Sequence, residues 1–305
     1  MCHMTVSNVA SVGFGVIGQS WARLFLTHGL HVTVFDPRPD LADVVAATEK
    51  AAGVPAGTIT IAPTAEAAAK DADWVQEAGP ENVDWKRETF AAMLGAAPST
   101  AIIATSSSAI PATLIAKNLD DAGAARVLVG HPFNPPHVMP LVEVVPGERT
   151  SEEATNAALE FYRAVGKSPI RINKEIPGFV GNRLQIAIIR EAVSLVQAGV
   201  ITAEDLDTLV ETSIGTRWAA VGPFKAFHLG GGPQGLAHLV EHVLRNLDEM
   251  ATPLPYDFSA EAMKPLLDSV NDAYGLPPKP EIAEFRDAVQ EATLTARAEA
   301  AKKLK

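Results

Sequence analysis

Apolar residues follow two different rhythms along this 305-residue chain. Through about residue 173, short β-branched runs alternate with alanine-rich helical stretches, the pattern of a sheet with crossover helices. The runs predict strands at residues 9–12, 31–35, 58–62, 74–77, 101–105, 127–129, 141–145 and 169–172. Together they predict an α/β fold with a Rossmann-type, doubly wound sheet. One connection differs from the rest. Only about ten Pro-rich residues separate Val129 from Leu141, too few for a helical crossover, so those two strands are expected to run antiparallel at an edge. After Asn173 apolar residues recur at helical spacing through 180–198 and 203–214. Further helices are expected at 234–249, 260–273 and 281–303, separated by punctuation such as Thr252-Pro253-Leu254-Pro255. The expected domains are 1–175 and an all-helical 176–305, with the boundary near Ile176-Pro177-Gly178.

Composition narrows the class. Apolar residues make up 47% and charged residues 20%, so the chain is expected to bury a sizeable core. Cys2 is the single cysteine, which excludes a disulfide framework and a cysteine metal cluster; no metal is expected, and a reducing cytoplasm fits. Met1-Cys2-His3-Met4-Thr5 lacks the charged and apolar regions of a signal peptide, and the mature chain is expected to begin there. No stretch approaches the roughly 18 apolar residues of a membrane span. A net charge of −11 argues against sequence-independent nucleic-acid binding. The basic cluster Lys302-Lys303-Leu304-Lys305 reads as a helix C-terminus complementing its dipole.

Chemistry enters with Gly13-Phe14-Gly15-Val16-Ile17-Gly18. This turn follows an apolar strand and opens a helix whose inward face is expected to be Ile17, Trp21, Leu24 and Phe25. Gly13 permits the tight turn, Gly15 lets phosphates approach the backbone, and Gly18 lets the helix pack on the strand. Backbone N–H groups at Val16 and Ile17 and the helix dipole then face a pyrophosphate. Asp36 closes the second strand 21 residues after Gly15, where a carboxylate accepts hydrogen bonds from an adenosine ribose and repels a 2′-phosphate. The cofactor is therefore expected to be NAD, with Arg38 as the one basic group near that phosphate.

A second constellation lies in Val127-Leu128-Val129-Gly130-His131-Pro132-Phe133-Asn134-Pro135-Pro136-His137. It puts His131 just past a strand end, the side where open α/β sheets bind ligands. Alcohol oxidation needs a base near neutrality, and imidazole is the side chain with that unperturbed pKa. Glu143 lies twelve residues on; across an antiparallel return it reaches one imidazole nitrogen, fixes the tautomer and stabilises the imidazolium.

His131-Pro132-Phe133-Asn134-Pro135, Pro140-Leu141-Val142-Glu143-Val144-Val145 and Pro177-Gly178-Phe179-Val180-Gly181-Asn182-Arg183-Leu184 resemble the motifs of the 3-hydroxyacyl-CoA dehydrogenase family, and the likeness runs along nearly the whole chain. The resemblance implies His131 as acid/base with Glu143 as its partner. It implies Ser107 and Asn182 as hydrogen-bonding groups for the substrate oxygen, while a structural capping role for Ser107 before Pro111 stays open. Thr105 stands where the family usually has Asn. Glu77-Ala78-Gly79-Pro80-Glu81-Asn82 is similar to a family turn beside the nicotinamide ribose, which implies cofactor contacts for Glu77 and Glu81; capping the helix from Val83 is the alternative for one of them. The helical half resembles the family's dimerisation domain, implying a homodimer.

The substrate is narrowed by two features. Residues 37–57 carry just Arg38 and Lys50 as cations, a thin supply for the phosphates of CoA. Gly215-Thr216-Arg217-Trp218-Ala219-Ala220-Val221-Gly222-Pro223-Phe224 resembles the branch that holds λ-crystallin, L-gulonate 3-dehydrogenase and carnitine 3-dehydrogenase. Arg217 is thereby expected to hold a free carboxylate in bidentate fashion, with a salt bridge or helix C-cap as the alternative. Trp218 is a stacking surface for a quaternary ammonium, or a core residue. The expected activity is NAD-dependent oxidation of a small 3-hydroxy carboxylic acid. A 3-hydroxyacyl-CoA dehydrogenase and a crystallin-like protein without turnover remain as alternatives.

Overall fold

The computed structural model describes residues 6–242 and 254–303. Cys2, the last part of the helix expected at 234–249, Thr252-Pro253 and Leu304-Lys305 lie outside the described residues. Two compact units divide the chain, Met1–Arg183 and Leu184–Lys305.

The first unit holds strands β1 (Asn8–Val12), β2 (His31–Phe35), β3 (Thr60–Ile61), β4 (Trp74–Glu77), β5 (Ile102–Thr105), β6 (Val127–Pro132), β7 (Leu141–Pro146) and β8 (Ser168–Arg171). Their spatial order is β3-β2-β1-β4-β5-β6-β7-β8. The order reverses between β1 and β4, so a crevice opens at their carboxyl ends. Helices α1 (Val16–Thr27), α2 (Leu41–Ala52), α3 (Ala65–Ala69), α4 (Val83–Ala96), α5 (Ala112–Ile115), α6 (Asp121–Ala124) and α7 (Glu152–Ala164) complete the unit. As expected from the short connection, β7 runs antiparallel to β6. It is not the outermost strand, because β8 pairs with it in parallel and makes the reversed edge two strands deep.

Alternating residues feed two cores, one on each face of the sheet. Val9, Val32, Trp74, Ile102, Leu128 and Val142 face one core with Trp21, Phe25, Phe161 and Tyr162. Ala10, Val12, Val75, Ile103, Val129 and Val145 face the other with Phe90 and Met93. Burial on both faces explains why the strands read as nearly continuous apolar runs. The aromatic layer is closely spaced: Trp74 and Phe161 ring centroids are 4.4 Å apart and Trp21 and Phe25 5.5 Å. Fully burying a side chain the size of Phe25 contributes about 1.5–3 kcal/mol, so this layer fixes α1 and α7 against the strands. Trp21, Leu24 and Phe25 are buried as expected, with Ile17 partly buried against the same core.

Two strands depart from expectation. β3 is confined to Thr60–Ile61, following Gly57 at φ +83°. β6 runs on through Pro132, because β7 pairs with Gly130, His131 and Pro132. His131 therefore lies inside a strand rather than beyond its end. Glycine is required just before it: a Cβ on Gly130 would stand 1.8 Å from the Tyr162 hydroxyl oxygen.

Helix α8 (Gly181–Gln197) contains the division between the units. The described residues of the second unit are helical: α9 (Ala203–Thr212), α10 (Ile214–Ala220), α11 (Pro223–Gly230), α12 (Gly235–His242), then helices Ala260–Tyr274 and Pro280–Lys303. The single helix expected at 203–214 breaks at Ser213, whose φ −130° and ψ −95° are not helical. Arg217 and Trp218 consequently sit on a separate helix, α10. Within this unit Tyr274 donates to Asp207 at 2.7 Å, and Gln197 exchanges two hydrogen bonds with the Asp257 backbone.

Candidate active site

The glycine turn has the geometry a dinucleotide needs. Gly13 adopts φ +88°, and a Cβ there would meet the Ala78 carbonyl and Gly79 nitrogen at 2.6 Å. A Cβ on Gly18 would stand 2.0 Å from the Gly13 carbonyl oxygen, which fixes how closely α1 folds back on its strand. Gly15 has open space within 4 Å of the corresponding position. It is the N-cap of α1, no side chain caps that end, and no acidic residue occupies the first turn. The N–H groups of Val16 and Ile17 lie in the first turn of α1, where the helix itself offers them no acceptor, and they form an electropositive cradle. A pyrophosphate fits it.

Asp36 follows β2 and is half-buried. Its carboxylate accepts from Phe14 N at 2.6 Å and from Arg38 N at 3.0 Å, leaving lone pairs for ribose hydroxyls. Arg38 is turned onto Asp40 through Nε at 2.7 Å and Nη2 at 3.0 Å. These residues fit NAD.

The Glu77 side chain is held by protein partners. It is fully buried, and both oxygens accept from Lys86 Nζ at 2.8 Å. Thr105 Oγ1 donates to it at 2.6 Å, and Gly79 N donates as well. The residue in place of the usual Asn thus closes a buried ion pair, and it also accepts from Ser107 N at 3.0 Å. Glu81 is more open; one oxygen accepts from Ser107 Oγ at 2.6 Å and from the N–H groups of Ser108 and Ala109. The helix from Val83 is capped by neither glutamate but by Asn82, whose Oδ1 accepts from Asp84 N and Trp85 N. Ser107 is buried, and its hydroxyl accepts from Ile110 N at 2.7 Å, a tight turn before α5.

Register brings His131 and Glu143 together. His131 and Glu143 are direct partners across β6 and β7, so their side chains share a face. His131 Nδ1 lies 2.8 Å from Glu143 Oε2. A carboxylate is an acceptor only, so in the neutral ring Nδ1 carries the proton and Nε2 keeps its lone pair. Glu143 Oε1 accepts from Val180 N at 3.0 Å and Gly181 N at 2.9 Å, at the start of α8. Burial pushes the Glu143 carboxyl up, and the hydrogen bonds from His131, Gly181 and Val180 outweigh it, leaving the group below its ordinary value. Phe133 and Phe179 flank the imidazole with centroids at 5.6 Å. Phe179 takes φ +48°, directly after Gly178 at φ +74°. This left-handed pair turns the backbone ahead of the N–H groups that Glu143 uses. Asn182 Nδ2 donates to the Ser108 carbonyl at 3.1 Å, joining the start of α8 to the Ser107 turn.

Three groups escaped the sequence reading. Lys86 shares a helix face with buried Phe90 and Met93, and a lysine at a core position of a helix signals a buried carboxylate partner. Lys167 donates to the carbonyls of Pro136 and Met139 and sits 5.2 Å over the Trp21 ring; burial pushes its ammonium down to about 8. His137 stands between Ser20 Oγ at 2.7 Å and Arg23 Nη1 at 2.9 Å. The Pro-rich connection after His131 is thereby held to α1. Arg217 and Trp218 belong to the second unit; both are exposed, and the Arg217 guanidinium makes no ion pair with a described residue.

The family models agree with this geometry. Residues 8–176 match the 3-hydroxyacyl-CoA dehydrogenase NAD binding domain and residues 178–257 the C-terminal domain of the same family. A 3-hydroxyacyl-CoA dehydrogenase of Gibberella moniliformis is 39% identical over 299 residues, 93% of this chain and 92% of the relative. An L-carnitine dehydrogenase of Streptomyces coelicolor is 41% identical over 276 residues, 87% of this chain and 85% of the relative. Among solved structures, 5-formyl-3-hydroxy-2-methylpyridine 4-carboxylic acid 5-dehydrogenase, an NAD+-dependent dismutase, superposes with a TM-score of 0.76 at 26% identity, covering 96% of this chain and 99% of that one. With both halves matched in order and the His131–Glu143 pair in register, the chain belongs to the 3-hydroxyacyl-CoA dehydrogenase family.

Proposed function

We propose that the protein oxidises the 3-hydroxyl of a small, free 3-hydroxy carboxylic acid with NAD, L-carnitine being the leading substrate. The observation that carries the chemistry is the buried His131–Glu143 hydrogen bond. His131 Nε2 takes the hydroxyl proton as the C3 hydride departs, and Glu143 holds the ring and stabilises the imidazolium that results. NAD, when bound, supplies the hydride acceptor. Asn182 Nδ2, which keeps a second N–H beside the one given to Ser108, donates to the substrate oxygen, and Ser107 hydrogen-bonds that oxygen by turning its single O–H away from Glu81. Gly13, Gly15, Val16, Ile17, Gly18 and Asp36 hold the dinucleotide, with Glu81 near the nicotinamide ribose. Glu77 serves that end of the site through Lys86 and Thr105.

Curated relatives at about 40% identity are named L-carnitine dehydrogenases, which favours a free acid with a trimethylammonium group. Arg217, without an ion-pair partner among the described residues, holds the carboxylate, and Trp218 offers a ring face for the quaternary ammonium. Residues 1–175 form the cofactor domain and 176–305 the substrate and dimerisation domain. The second unit leaves Phe224 78%, Leu229 69% and Phe285 69% exposed, an amount of apolar surface that a homodimer would cover. A cytoplasmic location suits a chain whose single cysteine is Cys2. The rival reading is an acyl-CoA substrate, favoured by the name of the Gibberella relative.

NADH formation followed at 340 nm across L-carnitine, L-gulonate, 3-hydroxybutyrate and 3-hydroxybutyryl-CoA tests the assignment. Turnover of a free acid is expected, with Arg217→Met raising its KM about tenfold or more and His131→Asn lowering kcat by about 10²–10⁴. Preference for the thioester overturns the free-acid reading. No turnover of any substrate, with NADH still bound, makes the protein a crystallin-like binder.

A further inference from the structure

The edge of the dinucleotide site beyond β2 carries more than one carboxylate. Asp36 and Arg38 share a small knot of backbone contacts: Phe14 N and Arg38 N both donate to Asp36, while Arg38 Nη1 donates to the Phe14 carbonyl at 3.4 Å. The guanidinium therefore lies against the same residue that anchors the ribose carboxylate. With Asp36 as the carboxylate that reads the ribose, the guanidinium stands on the side where a 2′-phosphate would be met. Its fork is filled instead by Asp40, Nε to Oδ1 at 2.7 Å and Nη2 to Oδ2 at 3.0 Å. This is the bidentate geometry in which arginine also binds phosphate.

Asp40 forgoes a local use to do this. It is the N-cap residue of α2, a position where aspartate ordinarily accepts a helix N–H. Here it makes no side-chain cap; both oxygens face Arg38. We propose that Asp40 is a specificity-determining residue: by occupying the Arg38 fork it withholds the Arg38 guanidinium from NADP, so that discrimination against the 2′-phosphate is shared between Asp36 and Asp40. The inference rests on the NAD reading of the glycine turn. The three residues Asp36, Arg38 and Asp40, acid, base and acid at every second position, then leave the edge with one net negative charge. Removing Asp36 alone leaves Arg38 still paired; removing Asp40 as well frees it.

The test is direct binding of NADH and NADPH by the full chain, read as nicotinamide fluorescence and independent of turnover. Wild type, Asp36→Ser, Asp40→Asn, the double variant and the double variant with Arg38→Ala are compared by the ratio of the two Kd values. Asp40→Asn is expected to move that ratio about three- to tenfold toward NADPH in either background, and Arg38→Ala to remove the gain. A ratio unmoved by Asp40→Asn in both backgrounds overturns the proposal. So does a gain that survives Arg38→Ala, which would make it a loss of negative charge only. Absence of NADH binding to wild type would instead sink the NAD reading itself. Asp40→Asn touches one exposed pair, so it keeps the test open if Asp36→Ser fails to fold.

Discussion

Replacing Glu143 by glutamine removes one charge with almost no change of volume, and its consequence follows from three hydrogen bonds. Val180 N and Gly181 N both require an acceptor, so the amide oxygen turns to them and the NH2 group faces His131. The imidazole nitrogen that donated to Glu143 must then accept, the ring proton moves to Nε2, and the lone pair aimed at substrate is lost. We expect kcat to fall by about 10²–10⁴, with NADH affinity within threefold of wild type because the cradle at Gly15 is untouched. Three charge-assisted hydrogen bonds become neutral ones, a loss of about 1 kcal/mol each. Relief from burying a charge offsets part of this, so the net destabilisation should be about 1–3 kcal/mol. The sign with pH is fixed. Glu143 titrates below its ordinary value in the fold, so its contribution is fully present above the unfolded value of 4.5 and is lost as pH falls through the folded one. Urea unfolding from pH 7 to pH 3 should show a slope in wild type that Glu143→Gln flattens. A variant with kcat within threefold of wild type would refute the tautomer argument.

Two other substitutions separate fold from site. Gly15→Ala places a methyl in open space, so thermal unfolding should shift by less than about 2 °C while NADH Kd rises tenfold or more; Gly18→Ala meets the Gly13 carbonyl at 2.0 Å and should lose several kcal/mol, and equal melting points for the two would contradict this assignment of roles. Lys86→Met strands the buried Glu77 carboxylate and should cost about 3–5 kcal/mol, most of it recovered in the Lys86→Met, Glu77→Gln double variant; a double variant no more stable than the single would show that the pair is not coupled.

What could be read from the chain alone depended on whether the constraint was local. Gly13, Gly18 and Asp36 were legible because a turn with φ +88° and a Cβ-free approach leaves few residue types to choose from. The His131–Glu143 pairing was legible because a connection of about ten residues forces an antiparallel return. The partners of Glu77 are not legible in the sequence because Lys86 arrives from α4 and Thr105 from β5, a convergence that no spacing announces. The strand containing His131 was drawn too short for a related reason: Gly130, His131 and Pro132 have weak strand propensity, and only the ladder with β7 keeps them extended. The break at Ser213 was equally invisible, since apolar periodicity continues through it.

The ladder between β6 and β7 has a consequence for how this site tolerates change. Because His131 and Glu143 face each other across paired backbone, their separation is set by the spacing of neighbouring strands and not by the length of the chain that joins them. The Pro-rich connection can change in length while the His131–Glu143 hydrogen bond keeps its distance. A slip of one residue in the ladder is a different matter: it would turn Glu143 to the opposite face of the sheet and break its hydrogen bond to His131 at a stroke.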